Sequence, residues 1–157
     1  MKKPLLYLSR LVLLFSSAVA LIGQTDHTNA FTGTWKLNVA KSKFNPGPPP
    51  QSVTVTLAPD GTFTLEIVDE KGKSHKSSHP WSDGKEIPFT DDTGMENGTI
   101  TSKIQGRTWD DTLKVKGKIV QTVHAVIAPD GKTETGTIDA TDEQGRPIHN
   151  VLLFERQ

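Results

Sequence analysis

Apolar and polar residues alternate along most of the chain after residue 51. The stretch SVTVTL (52–57) places three apolar side chains on one face of a strand, and TFTLEIV (62–68) repeats the pattern. Between them, APDG (58–61) supplies a proline that fixes one corner of a turn and a glycine that tolerates a positive φ. The pattern therefore predicts a β-hairpin.

The same alternation, interrupted by turn residues, continues to the end of the chain. Pairs such as QG (105–106) and KG (116–117) are typical of two-residue hairpin loops. No segment beyond the N-terminus has a 3.6-residue apolar period long enough for a helix, although VAKSKF (39–44) suits one helical turn. The sequence predicts strands near 33–39, 51–58, 62–69, 73–79, 85–90, 98–105, 107–115, 118–128, 132–141 and 146–155.

These segments predict an all-β fold, an antiparallel up-and-down meander of eight to ten strands in one domain over 31–157. A sheet of that size with one apolar face tends to close on itself, because closure removes its unpaired edges. A barrel of about eight strands has an interior that is either filled or holds one small ligand. A two-sheet β-sandwich is the alternative.

APDG occurs twice, at 58–61 and at 128–131. Either a hairpin pair has been duplicated, or good turn residues have been used twice independently. If the two hairpins share one register, Thr133 and Thr135 occupy the places of Phe63 and Leu65 and face the interior. The alternatives are a strand exposed on both faces or one whose inward set is Ile138 and Ala140.

The N-terminus predicts an export signal. Lys2 and Lys3 precede an apolar run at 11–22, and AVA (18–20) offers small residues for cleavage after residue 20, or as late as 24. The uninterrupted apolar run is shorter than the roughly 20 residues of a membrane-spanning helix. We therefore expect a periplasmic or secreted protein with no stable membrane insertion after cleavage.

Charge and cysteine content narrow the function classes. Cleavage after residue 20 removes three basic residues and no acidic ones, so 15 basic residues face 18 acidic ones, a net charge of −3. This balance, without a basic stripe, argues against a nucleic-acid partner. The chain has no cysteine, hence neither a disulfide framework nor a lipid-anchored cysteine. No feature predicts a particular oligomeric state.

Both ends of the predicted domain carry a family resemblance. AFTGTWKLNVAKSKF (30–44) resembles the first strand of the calycin superfamily, the lipocalins and intracellular fatty-acid-binding proteins, which begin with a Gly-x-Trp, here Gly33-Thr34-Trp35. VLLFER (151–156) resembles the final strand of such barrels. The head and tail are also similar to those of small exported bacterial lipocalin-like proteins of undescribed function.

The resemblance implies a barrel that binds small molecules, with Trp35 closing its floor beneath Arg156 in a cation–π contact. The chain also departs from the fatty-acid-binding pattern. That family follows its first strand with a helical lid, whereas NPGPPP (45–50) disfavours helix because proline lacks the N–H and clashes with the preceding turn. Its Arg-x-Tyr carboxylate contact is replaced here by Phe154-Glu155-Arg156, so that contact does not carry over.

Arg107, Trp109 and Asp111 share one face of a predicted strand. If this face points inward, two charged groups enter the barrel beside an indole, and burying them is costly unless they pair or meet a ligand. We therefore interpret them as candidate ligand contacts, with Arg107 facing an anionic group and Phe63, Leu65, Thr133 and Thr135 completing the site. The alternative places Arg107 at the solvated rim.

No motif predicts a metal, a cofactor or a catalytic centre. The histidines lack a third ligand at metal-site spacing, and Asp110 and Asp111 are strand neighbours that point to opposite faces. The leading hypothesis is an exported barrel that binds a hydrophobic or amphipathic small molecule. The alternatives are a filled-core envelope or protein-interaction module, and a barrel enzyme acting on a hydrophobic substrate, which no residue pattern supports.

Overall fold

The computed structural model describes residues 28–89, 98–142 and 144–157. The predicted export signal at 1–20, with its alternative cleavage at 24, lies outside these residues. The described chain contains one 3₁₀ turn, Val39–Lys41, and ten strands: β1 Gly33–Leu37, β2 Ser52–Leu57, β3 Thr62–Val68, β4 Ser74–Pro80, β5 Glu86–Phe89, β6 Gly98–Gln105, β7 Thr108–Val115, β8 Lys118–Ile127, β9 Thr133–Thr141 and β10 Pro147–Arg156. No described helix is long and apolar enough to span a membrane.

The ten strands form one antiparallel sheet in the order β4-β3-β2-β1-β10-β9-β8-β7-β6-β5. Chain neighbours pair with each other, and β1 pairs with β10, so the meander curls into a barrel. Within the described residues β4 and β5 share no ladder, which leaves the barrel nearly closed. The predicted all-β meander and barrel are confirmed, and the sandwich alternative is not adopted.

Hydrogen bonds at one end of the barrel bridge part of the gap between β4 and β5. After β4, the backbone N–H of Trp81 donates to Gly61 O at 2.6 Å, and that of Gly84 donates to Ser102 O at 2.6 Å. The Ser82 hydroxyl accepts from the Ser102 N–H at 2.5 Å. The connection between the two edge strands is therefore tied to both β3 and β6.

The first strand is shorter than the sequence predicted, because Asn38 ends it by capping the 3₁₀ turn. Its side-chain oxygen accepts from the Lys41 N–H at 3.1 Å. Pairing with β10 then resumes outside the named strand, where Lys43 forms a β-bridge with Val151 and the His149 N–H donates to Asn45 O at 2.7 Å. From 42 to 51 the described backbone contains no helix.

The two APDG turns differ by one residue, and this difference reverses the facing of β9. In the first hairpin the Ala58 N–H donates to Thr62 O, whereas in the second the Ala128 N–H donates to Thr133 O. A one-residue shift sends every side chain of a strand to the other face of the sheet. Glu134 therefore takes the place that Phe63 has in the first hairpin, which the shared-register hypothesis had given to Thr133.

Trp35 lies in the core at the floor of the barrel, 1% exposed. Its indole Nε1 donates to Phe31 O at 2.8 Å, and the guanidinium carbon of Arg156 lies 4.1 Å from its ring centroid. Gly33, at φ +127°, leaves room for that guanidinium, since a Cβ there would lie 3.1 Å from Nη1. The predicted cation–π contact is confirmed.

Candidate ligand-binding cavity

A cavity of about 260 Å³ lies inside the barrel. The inward members of the alternating strands line it, which is why residues two apart recur along each strand. Most of the lining is apolar: Val53, Val55, Phe63, Leu65, Ile67, Phe89, Ile100, Trp109, Leu113, Val123, Ala125, Gly136, Ile138, Leu152 and Phe154. Four polar side chains interrupt it: His79, Asp111, Gln121 and Glu134.

Aromatic rings close the floor end of the cavity around Trp109. Its ring makes edge-to-face contacts with Phe31, Phe63 and Trp81, at centroid distances of 5.3, 5.5 and 4.8 Å. Such contacts fix ring orientation as well as burying area. Trp109 thus belongs both to the packed floor and to the cavity wall.

Asp111 enters the cavity from β7, two residues beyond Trp109. One of its carboxylate oxygens accepts a hydrogen bond from the Trp109 indole N–H at 2.6 Å. Burial raises the pKa of the Asp111 carboxyl above its usual range, and hydrogen bonds from the Ser102 side chain and the Trp109 indole offset part of the rise. Asp110 points the opposite way and pairs outside the barrel with His124 at 2.6 Å. The expectation that neighbouring aspartates face opposite sides is confirmed.

Glu134 enters from β9, with no hydrogen-bond or ion-pair partner among the described residues. Burial raises the pKa of its carboxyl to about 7; Arg156 lowers it in part, while the nearby Asp111 raises it further. Gly136 leaves space beside it, because a Cβ there would lie 4.0 Å from Glu134 Oε1. Two carboxyl groups therefore share the interior of the barrel.

His79 contributes a third polar group, from β4. Its Nδ1 lies 2.9 Å from Pro80 O and must donate there, because a carbonyl oxygen only accepts. The other ring nitrogen, Nε2, is buried and has no hydrogen-bond partner in the described part of the chain. The ring packs on Phe63 at 4.9 Å and on Phe89 at 5.7 Å, so it spans the gap between β4 and β5.

The structure brings four of the seven predicted site residues together. Trp109, Asp111, Phe63 and Leu65 all line the cavity. Arg107 is exposed and lies in the turn before β7, where its backbone carbonyl accepts from Ile127. Its side chain does not line the cavity. The residue that was expected to bind an anionic group therefore lies at the solvated rim. Binding by any of these residues stays a prediction.

Thr133 and Thr135 lie on the face of β9 that points away from the cavity. The lining residues of that strand are Glu134, Gly136 and Ile138. The longer second turn is the physical reason, because it moves the hydroxyl side chains outward. Sequence reasoning missed Glu134 as a cavity residue, although it stands four residues before Ile138, an even spacing that puts both on one face of the strand. It also missed His79, because the edge strand β4 is short and polar and has few apolar residues to mark an inward face.

No known protein family matches the sequence, and no curated protein matches it. Solved structures with the same fold include the fluorescent protein UnaG, wild type, at 17% identity and a TM-score of 0.54, covering 81% of this chain and 97% of that one. A single-residue mutant of UnaG matches at 16% identity and a TM-score of 0.55, covering 82% and 96%. Zebrafish ileal bile acid-binding protein complexed with cholic acid aligns at 11% identity and a TM-score of 0.49, covering 82% and 100%. The chain therefore shares the overall fold of UnaG, and at these identities the likeness is one of fold alone.

Among the described residues, no group of three or more His, Cys, Asp or Glu side chains is placed to hold a metal ion. The polar groups of the cavity are hydrogen-bonding groups set in hydrocarbon. This arrangement can hold a small, mostly apolar molecule and accept hydrogen bonds from an N–H or O–H group that the molecule carries.

Proposed function

We propose that this protein is an exported barrel that binds one small hydrophobic or amphipathic molecule. The observation that carries the proposal is the cavity of about 260 Å³ with a mostly apolar lining. An unfilled apolar interior forfeits dispersion contacts that a close-packed core would make, and a ligand that fills it restores them. Apolar pockets with a few placed polar groups are typical ligand sites.

The size of the cavity limits the ligand. Ligand pockets commonly measure about 300–1,000 Å³, while an engineered cavity of about 150 Å³ holds benzene. A volume of about 260 Å³ therefore suits a compact molecule, such as an aromatic compound of two or three rings or a medium-length alkyl chain. This volume also favours binding over the alternative of a filled-core module.

Titration with N-phenyl-1-naphthylamine, a neutral dye with a phenyl and a naphthyl group, tests the proposal. We expect the dye emission to rise with one saturable site per chain, and the tryptophan emission to fall because Trp109 forms part of the wall. Binding of less than one dye per ten chains at saturating dye would contradict the proposal.

Gly136→Leu offers a steric block of the same cavity. Position 136 lines the cavity from β9, and a Cβ there would lie 3.9 Å from Ala125 Cβ and 4.0 Å from Glu134 Oε1, which are ordinary contact distances. We expect dye binding to be lost in this variant while circular dichroism still shows a β protein. Thr137→Leu places the same leucine side chain on the opposite face of the same strand and should bind as the parent does.

Export rests on the predicted signal at residues 1–20. Intact mass measurement of the protein isolated from its own host tests this part. We expect a chain that begins between residues 21 and 25. Recovery from the cytoplasmic fraction with residues 1–20 still attached would contradict export and leave the binding proposal intact.

A further inference from the structure

We propose that the cavity selects ligands that carry a protonated amine, with the ammonium group seated at Asp111 and Glu134 and the hydrocarbon part against the apolar walls. This inference rests on the proposed function, because it specifies the ligand class of the same cavity. It is opposite to the anionic preference expected from the sequence, where Arg107 was the candidate anchor.

The charges inside the barrel carry the argument. Of the described lining residues, the two carboxylic acids are Asp111 and Glu134, and no lysine or arginine is among them. Arg156, whose charge lowers the pKa of Glu134, is not among the lining residues and already has three hydrogen-bond partners. Its three nitrogens donate to the carbonyls of Gly131, Thr32 and Ala30 at 2.9, 2.7 and 2.5 Å.

The hydrogen-bonding capacity points the same way. Asp111 accepts from the Trp109 indole N–H, and a hydrogen bond from the side chain of Ser102, its register partner on β6, also lowers its pKa. A carboxylate accepts up to about four hydrogen bonds, so Asp111 keeps acceptor capacity beyond these two. Glu134 has no partner in the described chain, and the buried Nε2 of His79 has none either. When the ring is neutral, Nε2 carries a lone pair because Nδ1 is the donor, and all three groups are then acceptors once both carboxyls are ionised. A ligand with several N–H donors satisfies them, and an ammonium has three.

An anionic ligand would meet the opposite situation. A carboxylate or sulfate in this space would lie beside two acidic groups in a poorly solvated interior, where like charges repel strongly. It could be accepted only if both carboxyls were protonated or if His79 carried a proton. A buried ammonium, in contrast, is compensated by the carboxylates, and the alkyl chain lies against residues such as Val53, Val55 and Leu65.

The experiment displaces bound N-phenyl-1-naphthylamine with three decyl compounds that share one tail. Decylamine, decanol and decanoate differ only in carrying a positive, a neutral or a negative head at pH 8. We expect decylamine to displace the dye at a concentration at least about tenfold lower than decanol, since charge-assisted hydrogen bonds are stronger than neutral ones. Decanoate should be the weakest of the three.

Two isosteric substitutions assign the preference to the proposed groups. Asp111→Asn and Glu134→Gln should each reduce the advantage of decylamine over decanol by about fivefold or more, while decanol itself changes little. Asp110→Asn is the matched control, because Asp110 is the strand neighbour of Asp111 but pairs with His124 outside the barrel. It should leave the order of the three compounds unchanged.

The outcomes separate the two proposals. If the dye itself does not bind, the proposed function fails and the amine preference fails with it. If the dye binds but decanoate displaces it as well as decylamine does, the binding function stands and the amine preference is overturned. An amine preference that persists undiminished in both Asp111→Asn and Glu134→Gln also overturns the inference, because the ammonium would then lie elsewhere.

Discussion

Arg156 covers the indole face of Trp35, with its guanidinium carbon 4.1 Å from the ring centroid. The two residues are register partners on β1 and β10, so the contact joins the first and last strands. The same guanidinium donates to the carbonyls of Ala30, Thr32 and Gly131, which ties the N-terminal segment and the β8–β9 turn to the floor. The floor of the barrel is thus held by one side chain from the end of the chain.

Trp35→Ala should lower the free energy of unfolding by roughly 3–5 kcal/mol, the usual cost of truncating a large buried aromatic residue. The tryptophan is 1% exposed, and its removal would leave both a void and an Arg156 without its aromatic partner. Urea unfolding monitored by circular dichroism measures this.

The exposed Arg107→Ala is the control for that experiment. Because the Arg107 side chain is exposed and makes no contact with the floor, the change should stay within about 0.5 kcal/mol. An unfolding midpoint for Trp35→Ala equal to that of this control would show that the tryptophan does not hold the floor.

At the two APDG turns the sequence predicts the position of each turn but not the register of the strand that follows. Their residues fix the turn positions, so both hairpins could be predicted from the local pattern. The register of β9 could not, because the two loops are closed by hydrogen bonds one residue apart, Ala58 to Thr62 and Ala128 to Thr133. That distinction depends on how each turn packs in three dimensions, and it decides whether a hydroxyl or a carboxylate faces the interior.

The floor contact could be predicted from the sequence, whereas part of the cavity lining could not. Trp35 and Arg156 lie in end motifs whose likeness to calycins covers both partners, so their contact could be predicted. The place of His79 could not, because β4 has few apolar residues to mark an inward face. Only its position beside Phe63 and Phe89 brings it to the cavity.

Stability should fall between about pH 4.5 and pH 7 because of Glu134. Its carboxyl has a pKa raised from 4.5 to about 7 in the folded state, so in this window the folded chain holds a proton that the unfolded chain has released. The stabilisation present below pH 4.5 is therefore lost as the pH rises through 7. A shift of this size corresponds to about 3 kcal/mol at most.

Glu134→Gln removes that titration. Thermal melts from pH 4 to pH 8.5 should show the variant gaining stability relative to the parent as the pH rises, with the difference levelling off above about pH 7.5. Glu66→Gln, which changes an exposed glutamate paired with Lys76, should follow the parent throughout. A constant difference between the parent and Glu134→Gln at all pH values would contradict the burial of this carboxyl.

Arg107→Ala should leave the affinity of the cavity for decylamine, decanol and decanoate within about twofold of the parent, since an exposed charge outside the lining is well screened. Trp109→Phe should weaken all three, because it opens space in the wall and removes the N–H that Asp111 accepts. Dye displacement on both variants measures this. A selective loss of decanoate binding in Arg107→Ala would show that Arg107 does bind an anionic head group.

Binding of a permanently charged ligand should strengthen as the pH rises through 7. Decyltrimethylammonium does not titrate, so a change in its affinity between pH 6 and pH 8.5 reports on the protein. The groups that face Glu134 are Asp111 on β7 and Arg156 on β10, and His79 lines the same cavity. Ionisation of Glu134 adds a negative charge inside the barrel, so the cation should bind about fivefold more tightly at pH 8.5 than at pH 6. This is the change expected between these pH values if binding lowers the carboxyl pKa by about one unit.

His79 lines the same cavity, so variants must separate its contribution from that of Glu134. Glu134→Gln should abolish most of the pH dependence, whereas His79→Gln should keep it. Decanol serves as the neutral reference, and its affinity should not rise with pH, because the ionised carboxyl is better solvated in an empty cavity than beside an alcohol chain. If Glu134→Gln retains the pH dependence, the carboxyl of β9 is not the group that governs cation binding.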